Sequence, residues 1–140
     1  MRYLINFFIP FLLAFSLASG AFAQEKKINK SNLVIKEWNT DVRSNTKVLD
    51  HMTVYNSDGK KIDEIEYEAG GVKKWQKRYE HGADGRVAKE ILYDGHGRIT
   101  SIKKFEYNEF GRKKVQYTYN PKGKLLTVKN YEYLTVDADE

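Results

Sequence analysis

The chain has no cysteine among its 140 residues. That excludes disulfide staples, thiolate catalysis, thiolate metal sites and a lipid-anchored N-terminal cysteine. Stability must come from strand pairing and apolar burial. Proline is scarce, with two in the chain, and histidine numbers three. His51, His81 and His96 form neither HxH nor HExxH, so they read as turn or surface residues rather than metal ligands. No GxSxG elbow is present, and Asp50-His51 with Ser57 is a triad in composition only. No leucine ladder runs through the chain, which argues against a leucine-rich solenoid. No catalytic residue, metal site or cofactor is therefore expected.

Long apolar runs are also missing, save one. Leu4 to Leu17 is apolar apart from Asn6, Pro10 and Ser16, follows Arg2, and leads to Ala21-Phe22-Ala23. This is the pattern of a signal peptide over residues 1–23, with cleavage expected before Gln24. The run is too short for a comfortable membrane span of about 20 residues, so no integral span is expected after cleavage. The expected destination is the periplasm or the extracellular space. The formal net charge is +5, with Lys and Glu interleaved. That pattern suits a solvated sheet surface better than a dedicated polyanion site. Residues 137–140 form an acidic tail, Asp-Ala-Asp-Glu, without the spacing of a calcium loop.

What is present is a repeat. Gly59, Gly71, Gly85, Gly97, Gly111 and Gly123 recur at intervals of 12 or 14 residues. A tyrosine stands four residues before five of them, and Tyr79 stands six before Gly85. At period 26, Arg86–Gly111 aligns with Arg112–Asp137 without a gap, and Lys60–Gly85 is a diverged copy. Each unit reads as two strands and two turns. Asn120-Pro121-Lys122-Gly123 suits a type I turn ending in a left-handed glycine. Asn56, Asp94 and Asn108 hold the same first position, where the side chain can bond to backbone two residues on. The basic residue after the glycine (Lys60, Arg86, Arg98, Arg112, Lys124) is expected opposite that Asn or Asp as a solvated pair.

These signals predict an all-β fold: an antiparallel β-meander of seven to eight strands built from 26-residue double-strand repeats. It would form a single curved sheet or a partial barrel. Strands are expected near 47–55, 60–68, 72–80, 86–94, 98–107, 112–120 and 124–135, within a β-repeat domain spanning 47–136. Residues 24–46 read as a polar lead in which 33–38 can add a strand. Alternation from each tyrosine gathers Ile65, Trp75, Tyr79, Ile91, Tyr93, Phe105, Tyr107, Val115, Tyr119 and Tyr131 on one apolar face. Glu64 and Glu66 fall on the opposite, solvated face. Leu92, Ile102, Leu126 and Val128 break this rule, which implies apolar patches on the polar face or bulged strands. Lys73, Lys77, Lys89, Lys103 and Lys113 intrude on the apolar face, where their stems can cover it.

The pattern Tyr-Asp/Asn-x-x-Gly-Arg/Lys resembles the YD repeats of RHS-type and related cell-surface proteins. Tyr93-Asp94-Gly95-His96-Gly97-Arg98 matches best, with Tyr107–Arg112 and Tyr119–Lys124 close behind. The resemblance covers about residues 53–135. It implies an antiparallel β architecture and an exported, surface-facing context, as in small exported repeat proteins of Gram-negative bacteria. The large cargo shells of such families need far more chain, and the resemblance transfers no catalytic residues.

The expected function is a non-enzymatic binding module for a polysaccharide or protein of the envelope or exterior. Trp75, Tyr79, Tyr93, Tyr107, Tyr119 and Tyr131 are the candidate ligand contacts, because aromatic faces stack on sugars and anchor proteins. The alternative for these rings is that they form the core. The alternative function is assembly through exposed sheet edges. Lysine beside tyrosine can also hold single-stranded nucleic acid, but export argues against a nucleic-acid partner. An enzyme has no motif behind it.

Overall fold

The computed structural model describes residues 28–135. The expected signal peptide and acidic tail lie outside these residues. Eight strands follow in order: β1 (Val34–Thr40), β2 (Lys47–Tyr55), β3 (Lys61–Tyr67), β4 (Lys73–His81), β5 (Val87–Asp94), β6 (Ile99–Tyr107), β7 (Lys113–Tyr119) and β8 (Leu125–Asn130). They form one antiparallel sheet in chain order. β1 and β8 do not meet, so the expected meander forms a single curved sheet that does not close. The last strand stops at Asn130, short of the expected 135, while the strand expected within the lead is present as β1.

The turns explain the meander. In the last one, Gly123 N donates to Asn120 O at 3.0 Å, and Asn120 N donates to Lys124 O at 2.9 Å. The Asn120 Oδ1 accepts from Lys122 N at 3.0 Å and Lys124 N at 2.9 Å. Asn56, Asp94 and Asn108 make the same bonds in their turns. The closing glycine has φ of 71–81° in all six turns, a region costly for any residue with a Cβ. The expected basic partner appears at Arg98, whose Nε lies 2.8 Å from Asp94, whereas Lys60 and Arg86 reach the turn glycine of the next unit and Arg112 lies over Tyr133.

One turn departs from the expected spacing. Gly82, not a Tyr, Asn or Asp position, opens the turn closed by Gly85. His81 occupies the site that tyrosine fills elsewhere, and Tyr79 sits further back on β4. With no Asn at the first position, the Asp84 carboxylate accepts from Arg86 N instead, at 3.0 Å.

A single bulge in each hairpin then decides the faces. Tyr93 lies opposite Ile99, yet Leu92 lies opposite Ser101, leaving Thr100 unpaired. The same skip leaves Ile62, Lys74, Ala88, Lys114 and Leu126 unpaired, each three residues after its turn glycine. Every skip reverses the alternation of the returning strand. The single apolar face expected from alternation is therefore not formed. Trp75, Tyr79, Phe105 and Tyr107 point to one side, hereafter the front, while Ile65, Ile91, Tyr93, Val115 and Tyr119 point to the back. The bulges also absorb the exceptions: Ile99 and Ile102 share the back face because Thr100 separates them.

Among the described residues no second layer covers either face, and burial is correspondingly thin. The apolar core is Ile65, Ile91 and Val115 on the back and Phe105 on the front, each 8–9% exposed. The glycine turns test this account. Nothing lies within 4 Å of a Cβ built on Gly97, whose φ is +81°. Gly97→Ala should therefore lose about 1–2 kcal/mol from backbone strain alone, and Asn108→Ala about 1 kcal/mol from its lost turn bonds. Urea unfolding of the two variants measures both.

Candidate functional site

The six candidate aromatics are neither core nor open: Trp75, Tyr79, Tyr93, Tyr107, Tyr119 and Tyr131 are all half-buried. They are also not one surface. Register places Trp75, Tyr79, Tyr107 and Tyr131 on the front and Tyr93 and Tyr119 on the back. Several rings lie down on neighbouring strands and spend their hydroxyls there. The Tyr107 hydroxyl donates to Val87 O at 2.7 Å, and Tyr131 pairs with Gln116 Oε1 at 3.2 Å. Basic side chains cover the rings: Arg86 over Tyr107, Lys104 over Tyr119, Lys61 over Tyr79 and Lys77 over Trp75.

Two front-face regions gather chemistry. The first crosses β2, β3 and β4. Glu64 and Glu66, expected on a solvated face, are part-buried against His51. His51 Nδ1 lies 3.0 Å from Glu66 Oε2, and its Nε2 lies 3.5 Å from Glu64 Oε1. Lys61 Nζ reaches Glu64 at 3.2 Å, the Tyr79 hydroxyl donates to Glu64, and the Trp75 ring stands edge-on to His51. His51 thus lies on the strand expected at 47–55, but part-buried among carboxylates rather than on an open surface. The signal was available: His51, Glu64 and Glu66 sit on adjacent strands, but only the β2–β3 register reveals that they meet. Burial pushes the Glu64 carboxyl up, yet hydrogen bonds from Tyr79 and Lys61, with the charges of Lys61 and Lys77, hold it below its ordinary 4.5. Tyr79 is pushed well above 10.0, first by burial and then by the Glu64 carboxylate. The donors and acceptors of this cluster satisfy one another, and no group of three or more His, Asp or Glu among the described residues has metal-binding geometry.

The second region is a shallow cleft of about 430 Å³ across β4, β5 and β6. Trp75 and Leu92 provide its apolar lining, Thr100 adds a hydroxyl, and Lys74, Lys77 and Lys103 bring three cations. Asp94 at its end is neutralised by Arg98. Of the six candidates, Trp75 and Tyr93 border this cleft, but register turns the Tyr93 side chain to the back, so Trp75 alone offers its ring on this face. Lys74 and Thr100 are the unpaired bulge residues of their hairpins, so the bulges widen this part of the sheet. A further cleft of about 510 Å³, near Asp41, Asp50 and Glu68, carries carboxylates instead. No known protein-family model matches the chain, and no curated protein matches it either.

The Glu64–Tyr79 bond sets a pH dependence. A carboxyl with a lowered folded pKa stabilises the fold above its ordinary value and loses that as pH falls through the folded value. A tyrosine with a raised pKa stabilises below 10 and loses that as pH rises beyond it. Tyr79→Phe should cost about 1–2 kcal/mol at neutral pH and make both the acid and the alkaline losses shallower. Urea unfolding across a pH series reads all three effects.

Proposed function

We propose that the chain is an exported, non-enzymatic binding module for acidic polysaccharide of the cell envelope or exterior. One observation carries this reading: the cleft on the open sheet combines an indole with three lysines and a hydroxyl. An aromatic face suits the C–H face of a sugar ring once Lys77, which lies over the Trp75 ring, swings onto the ligand's charge. Ammonium groups around it suit carboxylates or sulfates on that ring, with affinity that falls as salt rises. A flat, shallow site on a long sheet fits a chain ligand better than a small molecule enclosed on all sides. The carboxylate cleft near Asp41 would repel the same ligand. The His51–Glu64–Glu66 cluster is read as structural, because its polar groups are committed to one another. The YD-repeat resemblance supports a surface-facing context for such a module.

Titration with alginate, a uronic-acid polymer, and with neutral dextran tests the proposal. In a Trp38→Phe background Trp75 is the sole tryptophan, so its fluorescence reports on the cleft. Alginate should change that fluorescence and dextran should not. Trp75→Ala and the Lys77→Ala/Lys103→Ala pair should each weaken binding about tenfold or more, roughly 1.4 kcal/mol. Binding that ignores charge, or that survives both variants, would remove the cleft as the site. Capture of an envelope protein with no polysaccharide binding would favour a protein ligand instead.

A further inference from the structure

We infer that β8 of one copy pairs with β1 of a second copy, continuing the antiparallel ladder from molecule to molecule. This takes the edge-pairing role open from sequence to a defined register, and it does not depend on ligand in the cleft. Three observations converge on it. The first is where apolar surface remains exposed. Val34, Ile35 and Trp38 on β1, and Leu125, Leu126 and Val128 on β8, are large exposed apolar residues. Among the described residues of β2 to β7, Ile99 alone joins them, at 36%.

The second observation is that the two edges are complementary within the repeat. β8 lies one period of 26 after β6, so Val128 stands where Ile102 stands. β1 meets β2 as β7 meets β8: Trp38 faces Leu49 with Asp50 skipped, just as Tyr119 faces Leu125 with Leu126 skipped. A second copy's β1 therefore offers β8 the strand that β7 offers β6. An even number of strands preserves the antiparallel alternation across the junction.

The third observation is what that register brings together. In β6–β7, Ile102 faces Tyr119, Lys103 faces Thr118, Lys104 faces Tyr117 and Phe105 faces Gln116. Transferred to the junction, Val128 meets Trp38 of the second copy, Lys129 meets Glu37, Asn130 meets Lys36 and Tyr131 meets Ile35. Two apolar pairs flank one opposite-charge pair, and no like charges oppose. Lysines at sheet edges normally deter pairing, but here Lys129 gains a carboxylate and Lys36 an amide. β8 already extends its ladder to this point, since Tyr131 N donates to Lys114 O at 3.0 Å. The contact is heterologous, so it runs on into a row or ring of copies rather than stopping at a two-fold dimer.

Sedimentation velocity of the purified protein without polysaccharide, over a thousandfold concentration range, is the first arm of the test. Growing oligomers are expected, and a monomer throughout would overturn the inference. Lys129→Glu and Glu37→Lys should each weaken self-association about tenfold, while an equimolar mixture of the two variants recovers it through alternating copies. Oligomers unchanged by both reversals would overturn the register. The absence of native cysteine allows a direct check. Single variants Lys129→Cys and Glu37→Cys, mixed and oxidised, should yield the mixed disulfide dimer. Dominant homodimers would show like edges pairing and would likewise overturn it.

Discussion

Basic side chains laid across aromatic rings hold this sheet together. Among the described residues the sheet is one layer thick and has no facing layer to cover its rings, so that cover comes from its own side chains. Lys61 over Tyr79, Lys77 over Trp75, Arg86 over Tyr107, Arg112 over Tyr133 and Lys113 over Phe105 do this, with the charge left in water. Each contact is worth about 0.5–1 kcal/mol at an exposed site, and their number compensates for a core of four residues near 8–9% exposure. The richness of the chain in lysine, arginine and tyrosine is thus a requirement of the architecture before it is a sign of any ligand.

The same interaction ties the repeat together along one end of the sheet. Arg86 follows the turn glycine Gly85, yet its guanidinium lies over Gly111 and Tyr107 in the next unit. Lys60 reaches Gly85 in the same way, and Lys30 lies against Gly59 and Tyr55. Glycine is required there for its positive φ, and its bare surface lets the long basic side chain rest on it. At the other end, Gly97 and Gly123 carry nothing within 4 Å. The two ends are therefore unlike: at one, basic side chains rest on the turn glycines, while at the other Gly71 meets only Val48 and Gly95 packs on the Lys73 backbone.

An open single layer also leaves its faces and its edges available at once. The front face keeps one lysine-rich cleft beside Trp75, next to a cluster in which Glu64, Glu66, His51 and Tyr79 consume one another's polarity. The proposed ligand site and the proposed junction do not overlap, since the cleft lies on β4 to β6 and the junction on β1 and β8. A row of copies would present the cleft repeatedly, which favours a long polymer through avidity.

Turn chemistry is local, so the sequence by itself determined the turns, the strands and the meander. Asn or Asp at the first turn position and glycine at the fourth act within five residues, and their regular return specifies the antiparallel order. The tertiary structure alone decided the faces. An unpaired Thr100 shows in the sequence only as an exception to alternation, Ile99 with Ile102, that a polar-face apolar patch explains equally well, and each such residue reverses every side chain beyond it. That is why the expected aromatic stripe divides between front and back, and why Glu64 and Glu66 turn inward to His51. It is also why Trp75 comes to share a cleft with Leu92 and Lys103. These meetings depend on register between strands, and register is a property of pairs that no single segment contains.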